Sequence, residues 1–263
     1  MKKLRPYRQI LPWIIPGILL TVWFAACRFG WVPDYLLPDP FRIVKTGYIY
    51  LFAQADSGPY AGRFLADASA SLLRVGFGFS LAVVTGIPLG VLSGRVATCR
   101  RLMSATVNGL RAVPGICWLP LALVWFGIGM RTTVFLVALA AFFPIYINTA
   151  AGTRQVNPLL YQAGAMLGVG RIRGIFAILL PAAMPQIISG LRLGLGLSWA
   201  YLVLGELTGV PNGLGAVIMD ARMLGRIDII IVGIILIAIL GRLSDLLLNT
   251  TLCLFFKSAR RSA

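Results

Sequence analysis

Six apolar stretches decide what this chain can become: residues 10–27, 70–93, 108–129, 132–150, 181–205 and 229–250, with soft boundaries. About 20 apolar residues in a helix cross the roughly 30 Å hydrocarbon layer of a bilayer. No water is present there to satisfy the backbone, so a spanning segment of this length must be helical. The expected fold is an all-α integral membrane protein of about six transmembrane helices, forming one domain over 1–263. Of the 263 residues, 59% are hydrophobic and 12% are charged. A soluble domain carries roughly 25% charged residues. The surplus apolar surface therefore faces lipid.

The net charge is +16, from 24 Lys and Arg against 8 Asp and Glu. No basic segment stands outside the apolar ones, so nucleic acid is not the implied partner; membrane lipid is. The basic residues instead sort by side. With the N-terminus inside, the inner segments are 1–10, 94–107, 151–180 and 251–263. They hold Lys2, Lys3, Arg5, Arg8, Arg95, Arg100, Arg101, Arg154, Arg171, Arg173, Lys257, Arg260 and Arg261, and no acid. Asp34, Asp39, Asp56, Asp67, Glu206, Asp220 and Asp228 lie on the other side. This asymmetry puts both termini in the cytoplasm. Lys2 to Arg8 followed by apolar residues up to Cys27 imitates a cleaved signal. Phe24, Pro12 and Pro16 do not suit one, and a retained first helix is expected.

The outer segment 28–68 contains Leu37-Pro38-Asp39-Pro40, a turn before a short surface helix at about 41–53. Four cysteines (Cys27, Cys99, Cys117 and Cys253) form no CxxC pair, and the chain has no His. They read as packing residues; no metal site of the usual His/Cys kinds is expected.

Some residues inside the spans are more than lipid filler. Gly86, Gly90 and Gly94, and again Gly190 and Gly194 with Gly196 nearby, let helices approach closely. Packing within the subunit is the first reading, and packing around a pathway or at a dimer interface the second. Pro114 and Pro120 each remove a backbone donor from the third span. Broken helices are tolerated where they line a cavity, so Trp118, Pro120 and Trp125 are candidates for a translocation path or gate. An interfacial aromatic belt is the alternative for the tryptophans. Arg192, deep in the fifth span, suits an anionic cargo, a snorkelling side chain or a bond to a broken-helix carbonyl. Glu206 suits a gate, a partner contact or a solvated helix end. Arg242 and Asp245 are three apart and can pair.

The inner loop is the most specific segment. It runs Tyr161-Gln162-Ala163-Gly164-Ala165-Met166-Leu167-Gly168 and ends Ile178-Leu179-Leu180-Pro181. A short helix over 159–167, a turn at Gly168 and Pro181 opening the next span are expected. This stretch resembles the cytoplasmic signature of ATP-binding-cassette importer permeases: an acid, two alanines, three residues, a glycine, nine residues, then Ile-x-Leu-Pro. Gly168, Ile178, Leu180 and Pro181 keep its spacing. Gln162 replaces the acid and Gly164 the second alanine, while Ala163 conforms.

Leu37-Pro38-Asp39-Pro40, Gly86-Ile87-Pro88-Leu89-Gly90, Trp125-Phe126-Gly127-Ile128-Gly129 and Phe143 to Thr149 extend the resemblance, which is to the nitrate, sulfonate and taurine permeases. The aliphatic sulfonate member is the most similar. The resemblance implies a type I importer permease fold and a loop, 151–180, that docks an ATPase. It implies a second copy of the permease, two ATPase chains using ATP and Mg, and a periplasmic or lipid-anchored binding protein. The location implied is the bacterial inner membrane. Cargo would be a small anion, an aliphatic sulfonate first; nitrate, taurine, bicarbonate or a thiamine-precursor-like molecule are alternatives. An ion-coupled secondary transporter is an alternative from another class. No GxxxxGK[ST] loop occurs, and no Lys lies between Lys45 and Lys257. ATP hydrolysis and any cofactor for it are thus expected on a partner chain, with none bound here.

Overall fold

A computed structural model of the chain describes residues 7–33, 36–54 and 58–255. Several residues used for the topology lie outside them, namely Lys2, Lys3, Arg5, Asp34, Asp56, Lys257, Arg260 and Arg261. The described residues are helical with short connections: α1 (Tyr7–Arg28), α2 (Pro40–Phe52), α3 (Phe64–Arg95), α4 (Ala97–Ala112), α5 (Trp118–Phe126), α6 (Met130–Gln155), α7 (Pro158–Met166), α8 (Arg171–Gly174), α9 (Leu180–Glu206), α10 (Leu214–Met223) and α11 (Ile227–Phe255). Among the described residues four segments are long and apolar enough to cross a bilayer, Phe64–Arg95, Met130–Gln155, Ile172–Glu206 and Ile227–Leu254, and the bent pair Ala97–Ala112 with Gly115–Phe126 makes a fifth if it counts as one span. In α1, Ile14–Arg28 is a shorter apolar helix.

The expected third span is the main correction. Residues 108–129 do not form one helix. α4 begins at Ala97, inside the segment read as an inner loop, and a second piece runs Gly115–Phe126; the two are bent by 87°. Pro114 is the cause. It disfavours helical backbone in the residue before it, and Val113 is extended at φ −75°, ψ 120°. A single 3-10 turn, Gly115–Cys117, then leads into α5. Gly127 at φ 71° and Gly129 at φ 147° end α5 and set up α6. The inner loop is also shorter than 151–180, because α6 continues to Gln155 and helical backbone resumes at Arg171. Cys117 is exposed and is not a packing residue.

The chain divides into two compact units. The first holds the described residues of Met1–Leu65 with Val217–Ile235. In it α2 begins as its sequence suggests: Asp39 accepts a hydrogen bond from the Phe41 N–H, and Pro40 takes the first turn. The α2 face bearing Ile43, Thr46 and Tyr50 is buried. Thr46 Oγ1 donates to the buried Asp228 carboxylate at 3.0 Å, and Arg226 pairs with the same carboxylate at 3.0 Å.

The second unit, the described residues of Ala66–Ala216 with Leu236–Ala263, is built on α6. Its core joins Ala141, Ile145, Leu179, Ala183, Ile187 and Leu191. Along α3 small residues recur every four positions: Gly78, Ala82, Gly86, Gly90 and Gly94. A Cβ on Gly78, Gly86, Gly90 or Gly94 would run into Val137, Ile145, Thr149 or Thr153 respectively. Each pair differs by the same 59 positions, so α3 and α6 run parallel, backbone against side chain. Gly190 and Gly194 of α9 approach α6 at Asn148 and Ile145. These stripes pack within the subunit, which was the first of the two readings. Gly196 faces open space.

Candidate functional site

The loop between α6 and α9 is built from its own sequence. Asn157 accepts from the Leu159 N–H at 2.9 Å, and Pro158 opens α7. At the other end the Gly168 N–H donates to the Ala165 carbonyl at 3.0 Å, and the Val169 N–H donates to Gly164 at 2.9 Å. This double closure is the Schellman cap, and it needs a left-handed residue at its turn. Gly168 supplies it at φ 74°. The chain then climbs through α8 and a π turn, Ile175–Leu179, into α9 with Pro181 in the first turn.

Two contacts hold this knob to the bundle. Gly164 is buried, and a Cβ there would collide with the Ile178 side chain. The Arg95 guanidinium lies 4.0 Å over the ring of Tyr161 and ties α7 to the end of α3. Burial pushes the Tyr161 hydroxyl up from its ordinary range, so the ring stays neutral beneath the cation. Gln162 and Ala163 are exposed. Leu159, Met166, Leu167, Ile172 and Phe176 also present their apolar side chains to the outside; Met166 is 88% exposed and Leu167 83%. Two large apolar side chains thus stand exposed at the end of a capped and clamped helix.

The residues considered for a path do not come together. Trp118 lines a cavity of about 360 Å³ with Arg111, Phe143, Asn148 and Tyr201. Trp125 and Pro120 do not line it. Trp125 is exposed and packs edge-on against Phe126 and Phe135. Arg192 lines a different groove, between α9 and α11. Its guanidinium donates twice to Asp245, at 2.9 and 3.0 Å, and Arg242 joins the same carboxylate at 3.1 Å. The Arg242–Asp245 pair was expected from spacing; the bidentate bond from Arg192 was not. Glu206 is fully buried, which rules out a solvated helix end. It accepts from Arg74 at 2.6 Å, from Ser71 at 2.7 Å and from the Gly215 N–H at 2.8 Å. Arg74 also donates to the Asn212 carbonyl, and Asp67 accepts from the Gly213 N–H. Together these bonds fasten the turn after α9 onto α3.

Apolar crossings, a proline-broken helix and a capped knob between two crossings define a helical membrane protein. The chain belongs to the family described as the binding-protein-dependent transport system inner membrane component, whose model matches residues 86–250. It is 33% identical over 245 residues to SsuC of Bacillus subtilis, a protein named for aliphatic sulfonates transport; 92% of this chain and 86% of that one are covered. To the taurine transport system permease protein TauC of Escherichia coli it is 32% identical, covering 88% and 82%. To the nitrate import permease protein NrtB of Synechocystis it is 34% identical, covering 90% and 86%. The fold matches a chain of the inward-facing MetNI methionine ABC transporter with a TM-score of 0.59 at 20% identity, covering 74% of this chain and 98% of that one. The protein is thus an ABC importer permease, a multi-pass transport subunit of the cytoplasmic membrane.

Proposed function

We propose that this chain is the membrane subunit of an ATP-driven importer for a small anion, an aliphatic sulfonate in the first place. Two copies form the pathway, and two ATPase chains dock on the cytoplasmic α7 loops. A binding protein delivers cargo from the far side. The observation that carries this reading is the α7 knob. A helix of nine residues is closed at both ends and clamped by Arg95 and Ile178, with an apolar outer face. Such a piece moves as a rigid body when a partner pushes it, and α9 begins within fourteen residues of its end. Gln162 stands where the family pattern has an acid, so contact with the ATPase at that corner is by hydrogen bonding, without an ion pair. Hydrolysis of ATP falls to the partner.

Gly168→Asp tests the docking reading. It adds a carboxylate at the negative end of the α7 dipole and on the apolar face. No neighbouring atom opposes a side chain there, although the left-handed backbone does. The membrane-inserted yield is expected to stay near wild type, while the ATPase chain no longer co-purifies and uptake is lost. A variant that still retains the ATPase and transports normally would refute the assignment.

A further inference from the structure

Two successive cavities lie along α6 in the second unit, the first between the end of α4, the turn after it and α9, the second between α3 and α4. The first, about 360 Å³, is lined by Arg111, Trp118, Phe143, Ile147 and Asn148 among others. The second, about 230 Å³, is lined by Arg100, Ser104, Asn108, Ile147 and Arg154 among others. Ile147 belongs to both, so the cavities adjoin. On α4 the polar contributors are Arg100, Ser104, Asn108 and Arg111, at steps of four, four and three residues. That spacing puts them on one helical face. The face runs about 16 Å from Arg100 to Arg111, at 1.5 Å per residue. On α6 the opposing residues Phe143, Ile147 and Arg154 keep the same period.

The charge in this groove has one sign. No Asp or Glu occurs anywhere between Asp67 and Glu206. Among the described residues Arg100, Arg111 and Arg154 make no ion pair, whereas Arg42, Arg74, Arg192, Arg226 and Arg242 each do. Arg111 and Arg154 are exposed and Arg100 is half-buried, so all three guanidinium groups are open to water or to an anion. Ser104, Asn108 and Asn148 stand between them; Ser104 donates to the Arg101 carbonyl and Asn148 to the Pro144 carbonyl, which leaves Asn108 and the second amide hydrogen of Asn148 to donate to an anion. The walls beside Arg111 are apolar and aromatic: Trp118, Phe143, Ile147 and Leu197.

We propose that the groove along α4 and α6 lines part of an anion path, with a head-group subsite at Arg111. There an anionic head meets the guanidinium and a short alkyl tail lies against Trp118 and Phe143. Arg100 and Arg154 take the head next, toward the end of the bundle that carries α7. The groove selects net monoanions such as alkanesulfonates. It offers no carboxylate to an ammonium group, so it discriminates against zwitterionic sulfonates. The direction of movement rests on the importer reading above; the charge selectivity does not.

Cys117 is a natural reporter, since it is exposed and sits between two residues that line the first cavity, Gly115 and Trp118. The full chain in lipid nanodiscs, with Cys27, Cys99 and Cys253 changed to Ser, is treated with sulfonatoethyl methanethiosulfonate and with its trimethylammonium analogue. In both, the thiolate attacks the thiosulfonate sulfur, forms a disulfide and expels methanesulfinate. Any effect of nearby arginines on the thiol itself cancels in the ratio of the two rates. Relative to a free thiol, that ratio is expected to favour the anionic reagent by about tenfold or more, and to fall toward unity in Arg111→Gln. Ethanesulfonate should slow the reaction, and taurine at equal concentration should not. Arg100→Gln, farther away, should shift the ratio less, and it serves if Arg111→Gln misfolds. A ratio equal to the free thiol's, no reaction with either reagent, or a ratio unchanged by both substitutions would overturn the proposal. No ATPase or binding protein is needed, so failure here leaves ATP-driven import standing, and failure of ATP-driven import leaves this result interpretable.

Discussion

Glu206→Gln is expected to strip the membrane of most folded protein. The glutamate is fully buried and shares its carboxylate among Arg74, Ser71 and the Gly215 N–H. Gln keeps the shape but leaves the Arg74 guanidinium, itself 7% exposed, without a counter-charge. Breaking one side of a buried pair costs about 3–5 kcal/mol, a large part of the roughly 5–15 kcal/mol that holds a domain folded. The penalty comes mostly from the stranded charge. The double variant Arg74→Met with Glu206→Gln should therefore recover much of the lost yield and melting temperature. Detergent-extracted yield and thermal unfolding of the four proteins of this cycle check it. A single Glu206→Gln variant with wild-type stability would show that the pair does not anchor the turn after α9.

Gly90→Leu should be as damaging, for a steric reason. A Cβ at residue 90 would lie 2.7 Å from the Thr149 Cβ and 2.9 Å from the Tyr146 carbonyl oxygen. Backbone cannot yield as a flexible side chain can, so α3 must separate from α6. Overpacking of this kind costs about 1–3 kcal/mol for small increments and more for large ones. Gly76→Leu, on the same helix, meets nothing within 4 Å and should fold normally. Folded yield of the two leucine variants, measured side by side, separates packing from helix propensity. Equal yields would contradict the parallel seam of α3 on α6.

Much of this architecture is legible in the sequence. Apolar runs locate α3, α6, α9 and α11, because length and hydropathy alone satisfy the bilayer's demand on the backbone. The α7 loop is legible too, since Pro158, Gly168 and Pro181 each act locally on the chain. The broken third span is only half legible. Pro114 signals a break, but a window of apolar residues beginning at 108 cuts through α4. It thereby hides the face shared by Arg100, Ser104, Asn108 and Arg111. That face is polar, so a hydropathy reading assigns its first half to a loop. The absence of acids from 68 to 205 is the signal that points to it. Arg192 misleads for another reason: its partner Asp245 is 53 residues away, and no local pattern joins them. Glu206 has partners 132 and 135 residues distant in sequence, and only packing reveals that a helix end is buried.

Whether ATP hydrolysis by a docked chain drives a small anion through this permease is tested most directly by reconstitution. The chain is placed in liposomes with its ATPase and its binding protein, and radiolabelled ethanesulfonate is followed. Uptake is expected only with ATP and Mg, to be indifferent to a protonophore, and to vanish in Gly168→Asp. Uptake that proceeds without ATP and collapses with the ion gradient would contradict it.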